Sequence, residues 1–163
     1  MGTDSLHCLV EVPKGSSNKY VWDEKLGAIK LDRFLFSSVV YPTDYGFIRD
    51  TLSPKGEPLD AMVCVSAPTF PGCVIPVKAI AIFRTRDEAG QDDKIICVPQ
   101  DDPNWNEMEG LDDIPRQLRT EIEHFWRIYE EPEGKPVEVQ GWEDAEAANE
   151  LIERGRKAFR DSR

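Results

Sequence analysis

The sequence holds only two histidines, and its four cysteines form no Cys-x-x-Cys pair. A zinc site built from clustered His and Cys is therefore not expected. Positive charge is also scarce: 20 Lys and Arg stand against 31 Asp and Glu, for a net charge of −11. That balance repels nucleic acid at long range, and no basic stripe offsets it, which disfavours a small nucleic-acid-binding barrel. No apolar run approaches the length of a membrane span. The opening Met1-Gly2-Thr3-Asp4-Ser5 lacks the basic region and long apolar stretch of a signal peptide, and Leu6 stands where a myristoylation motif needs Ser or Thr. Repeats, low-complexity segments and linkers are absent too, so residues 1–163 read as a single domain with a sizeable core. Cys8, Cys64 and Cys97 fall inside apolar strand-like runs. Such cysteines read as buried reduced thiols, which suits the cytoplasm.

What is present is mostly short strand pattern. Leu6–Val12 reads as a strand, and 19–23 with 28–31 read as a hairpin around Glu24-Lys25-Leu26-Gly27. Strand pattern continues over 34–40, 46–52, 61–65, 73–83 and 95–99. Short strands at regular intervals with turn signals argue for a barrel or sandwich. After Asp101 the texture changes. Ile114-Pro115 opens a helix with Asp113 as the expected N-cap. Leu118, Ile122, Phe125, Trp126 and Tyr129 share one face, read as core packing for Phe125 and Trp126, with Tyr129 at the helix end. A short extended segment over 135–140 precedes a final amphipathic helix over 142–159. The fold class expected is mainly β with α, a small OB-like β-barrel with two flanking helices.

Two acidic turns carry the chemistry. In the first, Ser53-Pro54-Lys55-Gly56 reverses the chain, because Pro presets φ and Gly tolerates positive φ. Glu57 and Asp60 follow at the lip of an apolar run. In the second, Asp87-Glu88-Ala89-Gly90-Gln91-Asp92-Asp93-Lys94 separates two further apolar runs. If the two strand ends are neighbours, Asp60, Asp87 and Asp92 converge with Glu57. Carboxylates beside a buried strand are costly without a cation. An oxygen-only donor set points to Mg²⁺, Mn²⁺ or Ca²⁺. Taken alone, the first turn reads equally well as a solvated acidic loop; the second shifts the balance.

At this point the chain resembles a soluble inorganic pyrophosphatase of the bacterial family I type. The resemblance rests on Glu11-Val12-Pro13, Lys19-Tyr20, Leu31-Asp32-Arg33-Phe34, Tyr41-Pro42 with Asp44-Tyr45-Gly46, Gly56 with Pro58-Leu59-Asp60, Asp87-Glu88-Ala89-Gly90 with Asp92, Lys94, and His124-Phe125 with Tyr129. These pieces follow the family's order along nearly the whole chain. The resemblance implies Mg²⁺-dependent hydrolysis of pyrophosphate, with Mn²⁺ as a second metal, in a homohexamer. It implies metal contacts at Asp60, Asp87 and Asp92, with Glu11 as an outer contact. It implies phosphate contacts at Lys19, Arg33, Tyr45, Lys94 and Tyr129, and catalytic roles for Glu57 and Asp92. Four positions depart from the family pattern: Val21 and Lys55 replace acids, Glu57 replaces an aspartate, and Glu130 replaces a lysine. A degenerate relative that binds metal or phosphate with little turnover is the competing reading, and Lys55 and Glu130 favour it. Lys55 is expected to turn toward solvent, because Pro54 and Gly56 make a turn whose tip can face water.

Overall fold

The computed structural model describes residues 5–35, 38–129 and 137–163. In chain order these form β1 (Leu6–Val12), β2 (Asn18–Asp23), β3 (Ala28–Phe34), β4 (Asp44–Ile48), β5 (Leu59–Val63), β6 (Val74–Asp87), β7 (Gly90–Gln91) and β8 (Lys94–Pro99). A 3-10 turn at Leu111–Asp113, helix α1 (Arg116–Ile128), strand β9 (Glu138–Asp144) and helix α2 (Ala145–Asp161) complete the order.

Five strands close on themselves. β1 pairs with β4, β4 with β5, β5 with β8, β8 with β6, and β6 returns to β1. Every pairing in the ring is antiparallel except β5–β8. A closed ring leaves no free sheet edge among its members. The 14-residue β6 outruns the ring and carries β7 and β9 on its far half. The β2–β3 hairpin forms a separate two-stranded sheet.

Alternation along the strands divides the core by face. Ala61 and Val63 of β5 join Ile95 and Cys97 of β8 and meet Ala148 and Ile152 of α2. The intervening Met62, Ile96 and Val98 meet Ile122, Phe125 and Trp126 of α1 instead. At the β1–β4 bulge the backbones approach closely, and Gly46 permits it. A side-chain carbon there would stand 1.9 Å from the Leu9 carbonyl oxygen. Asp44 is fully buried, but its carboxylate accepts from the Lys14 amide at 2.8 Å and the Thr69 hydroxyl at 2.6 Å. Those bonds offset the cost of burying it and fix the loops at Lys14 and Thr69.

Several boundaries differ from the sequence expectation. Of the described residues after Phe34, none to Val40 is strand: Leu35 donates to the Ser17 carbonyl, and Tyr41 just beyond donates to the Ser16 carbonyl, so these bond to a loop rather than to a ladder. β4 stops at Ile48, where Asp50 turns the chain with φ 59. Pro115, not Asp113, occupies the N-cap of α1, and the Asp113 carboxylate accepts from the Glu109 and Gly110 amides within the preceding turn. Trp142 lies in β9 rather than in the last helix, because β6 is long enough to pair with it at Phe83. Asp144 then caps α2, accepting from the Ala145 amide at 2.8 Å. The expected extended segment over 135–140 is described only from residue 137, and Glu130 lies outside the described residues.

Candidate active site

The parallel β5–β8 pair sets the geometry. Asp60 and Lys94 are direct partners across that ladder, so both strands begin at the same end of the barrel. The turns that precede them therefore lie side by side, one carrying Lys55 and Glu57, the other Asp87 and Asp92. Gly56 has φ 82 at the tip of the first turn, and the Ser53 amide donates to the Glu57 carbonyl at 2.6 Å to close it. In the second turn the Asp87 carboxylate accepts from the Ala89 amide at 2.8 Å. Thr85 and Asp92 hold the base of that turn: the Asp92 amide donates to the Thr85 carbonyl at 2.8 Å, and the Thr85 hydroxyl to the Asp92 carbonyl at 2.6 Å.

A cavity of about 920 Å³ opens between these turns, the β2–β3 hairpin and the C-terminal end of α1. Glu11, Lys19, Tyr45, Glu57, Asp60, Asp87, Asp92, Lys94 and Tyr129 all line it. Arg33 is not among its lining residues; it faces Lys19 across the β2–β3 ladder, with its guanidinium 3.3 Å from Asp32. Lys19 reaches in from β2, and its ammonium donates to the Tyr129 hydroxyl at 3.3 Å. Glu11 accepts from the Trp22 amide at 2.9 Å, which ties the hairpin to the barrel.

Lys94 is the electrostatic centre. It is only 1% exposed, and its ammonium lies 2.6 Å from the Asp92 carboxylate and 3.9 Å from that of Asp60. The Trp126 ring lies under it, 4.3 Å from the ammonium to the ring centroid. A buried ammonium is tolerable only with such partners, and removing one typically costs about 3–5 kcal/mol. The two acids respond differently. Burial pushes the Asp60 carboxyl up to about 7, and the neighbouring Asp92 charge adds to the push against the pull of Lys94. The Asp60 side chain is still 31% exposed, so the enclosing wall does this without sealing it from water. Burial pushes Asp92 up as well, but its contact with Lys94 outweighs burial and holds it below the usual carboxylate value. Burial also raises Glu11, against the Trp22 amide and Lys19, and raises the Tyr45 phenol well above its ordinary value.

The donor set fits a hard divalent cation. Among the described residues the cavity walls carry carboxylates and phenols, and no His or Cys lines them. Among the described residues no three His, Cys, Asp or Glu groups converge closely enough to enclose an ion unaided.

Trp126 and Thr85 are contacts that sequence reading assigns elsewhere or passes over. Trp126 reads as core on the helical stripe, and it does pack there, but one ring face serves Lys94. Its place three residues before Tyr129, on the same helix face, is the signal that links it to the site. Thr85 carries no pattern that separates it from an ordinary strand residue.

Comparison with known proteins agrees with the geometry. The family model described as inorganic pyrophosphatase matches residues 8–160. The chain is 50% identical over 151 residues to an inorganic pyrophosphatase of Methanosarcina acetivorans, covering 93% of this chain and 90% of that one. It is 48% identical over 153 residues to that of Streptomyces coelicolor, covering 93% and 94%. The crystal structure of inorganic pyrophosphatase from Thermus thermophilus superposes with a TM-score of 0.93 at 40% identity, covering 98% of this chain and 93% of that chain.

Proposed function

The chain belongs to the inorganic pyrophosphatase family, and from that premise we propose how its cavity works. The reaction is hydrolysis of inorganic pyrophosphate to two phosphates, and the enzyme is an inorganic diphosphatase. Divalent-metal dependence goes with the family. We assign Mg²⁺ as the metal, with Mn²⁺ as the alternative.

Asp60, Asp87 and Asp92 would hold the metal, with Glu11 as an outer contact. Bound there, a divalent ion would neutralise substrate charge and ease deprotonation of a water near neutral pH. Lys19, Lys94 and Tyr129 grip the phosphate oxygens, with Tyr45 at the wall. Arg33 stands across the ladder from Lys19 and outside the cavity lining; turned inward, its planar fork would bind two oxygens at once. Glu57 takes the proton from the attacking water, and Asp92 orients that water. Glutamate at this position keeps the carboxylate and adds one methylene of reach.

The observation that carries this reading is the meeting of two acidic turns over one buried lysine. An anionic substrate approaching a chain of net charge −11 needs such a local reversal of field. Asp60→Asn and Asp92→Asn are expected to weaken Mg²⁺ binding, read by calorimetry, and to suppress phosphate release together. Wild-type turnover in either variant at low Mg²⁺ would refute the assignment.

The exposed Phe34, Leu31, Phe70 and Val74 side chains support self-association, and we assign a homohexamer. Cys8, Cys64, Cys73 and Cys97 are all free thiols. Burial pushes Cys64 up to about 12, which keeps it protonated and unreactive. Reduced thiols of this kind support a cytoplasmic location, which cell fractionation would check.

A further inference from the structure

Glycine is a poor helix former, yet Gly155 lies buried within α2. A methyl group at this position would stand 2.7 Å from Leu59 Cδ1, 3.3 Å from Leu59 Cγ and 3.3 Å from the Leu52 carbonyl oxygen. The Leu52 amide donates to the Gly155 carbonyl at 3.0 Å. Leu52 and Leu59 are the two ends of the first acidic turn. Both ends therefore rest on one helix residue, and the six residues between them carry Lys55 and Glu57. Asp60 follows Leu59 directly. Leu59 is itself 5% exposed within the core cluster that holds Ile152, so its side chain has little room to rotate away from an added methyl. The Leu52 carbonyl is backbone and cannot rotate away at all. Thr51 completes the seat, its hydroxyl accepting from the Leu59 amide at 3.1 Å and donating to the Ile48 carbonyl at 2.7 Å.

We propose that Gly155 is a positioning residue for the reaction: the notch it leaves in α2 seats both ends of the acidic turn and so sets where Glu57 and Asp60 stand. This rests on the roles proposed for those two residues. The phosphate-gripping side chains Lys19 and Tyr129 sit on other elements, and Lys94, though the ladder partner of Asp60, is also fixed by Asp92 and the Trp126 ring. Gly155→Ala is therefore expected to act on kcat and on the Mg²⁺ requirement and to leave KM for pyrophosphate close to wild type. A displacement of about 1 Å at a reacting group costs on the order of 10²-fold in rate, so a smaller shift of the turn is expected to lower kcat by roughly tenfold.

The test measures kcat, KM, Mg²⁺ affinity without substrate (by calorimetry) and melting temperature for wild type, Gly155→Ala, Leu59→Ala and the double variant. Expected are a lower kcat and weaker Mg²⁺ binding in Gly155→Ala, and recovery of both toward wild type in the double variant, where Leu59→Ala removes the carbons that the new methyl meets. A melting temperature that falls while kcat and Mg²⁺ binding stay at wild type would overturn the proposal, as would a failure of Leu59→Ala to restore them. If Gly155→Ala does not fold, Leu59→Ala alone decides: loss of the same seat from the other side is expected to lower kcat and Mg²⁺ affinity, and wild-type values overturn the inference. Wild-type protein without pyrophosphate hydrolysis would overturn the proposed function itself, a separate outcome.

Discussion

Lys94 occupies the place between Asp60 and Asp92 where a bound cation is most needed, and it arrives there by register rather than by reach. Its strand partner is Asp60, and its ammonium has the Trp126 face beneath it. The lysine neutralises part of the carboxylate charge, and the remaining acids keep the cavity wall attractive to a divalent ion. Lys55 acts on the same field from the cavity's rim, where it is one of the lining residues. It is exposed, as its turn suggests, but it does not simply trail into water. Its Cε lies 3.9 Å from where a side-chain carbon on Gly90 would stand, and its charge helps hold the Asp92 carboxyl down. Lys55→Asp replaces a positive charge with a negative one beside the proposed metal contacts. An exposed unit-charge pair is worth at most about 1 kcal/mol after screening, and here two units of charge change opposite a divalent ion, so the Mg²⁺ concentration for half-maximal rate is expected to fall by on the order of tenfold. An unchanged or increased requirement in a Mg²⁺ titration of that variant would show that Lys55 does not act on the metal. At this scale the acids of the cavity were legible, because their types and turn positions already suggest oxygen ligation; its lysines were marked only by the family resemblance. Arg33 lies just outside the cavity lining, and Trp126 serves both core and site; sequence alone cannot show on which side of a ladder or a ring a partner will stand.

Among the elements, β6 decides more than any other. Its first half closes the barrel against β1 and β8, and its second half supports β7 and β9. The apolar pattern ends at Phe83, so the strand appeared to end there. Arg84 to Asp87 are polar, and their pairing is sustained by partners distant in sequence, including the Arg84 ion pairs with Asp93 and Glu143. The late boundary of β9 and the start of α2 at Ala145 follow from that hidden extension. Asp144 marks the junction. Its carboxylate accepts from the Ala145 amide and, at 3.0 Å, from the Leu111 amide, so one side chain caps α2 and anchors the 3-10 turn. Those two bonds hold its carboxyl below the ordinary value of 3.8. A depressed carboxyl contributes stability above its unfolded value, lost as pH falls through the lower folded value. Asp144→Ala is expected to melt below wild type at pH 7, with the gap narrowing as pH drops below 3.8. Thermal unfolding across pH checks this, and a constant gap would contradict it. The two amphipathic helices and most barrel strands were legible from periodicity; their ends were not, because caps and bulges are set by neighbours from elsewhere in the chain.

As a whole molecule, the protein joins a closed barrel to one cavity at the end where two parallel strands begin. The family pattern spans residues 8–160, so all but the outermost residues of the barrel and both helices belong to it. The proposed homohexamer predicts a mass of six chains in solution at micromolar concentration, and a monomer by sedimentation would contradict it. The acidic surface leaves catalysis of an anion dependent on the cavity and its metal. The most direct measurement is phosphate release from pyrophosphate by the purified wild-type protein, with Mg²⁺ and again after chelation. Sustained turnover with Mg²⁺ that stops on chelation and returns when Mg²⁺ is restored is the expected result. A folded protein that releases no phosphate with either Mg²⁺ or Mn²⁺, or one whose turnover is indifferent to chelation, would contradict metal-dependent pyrophosphate hydrolysis in this site.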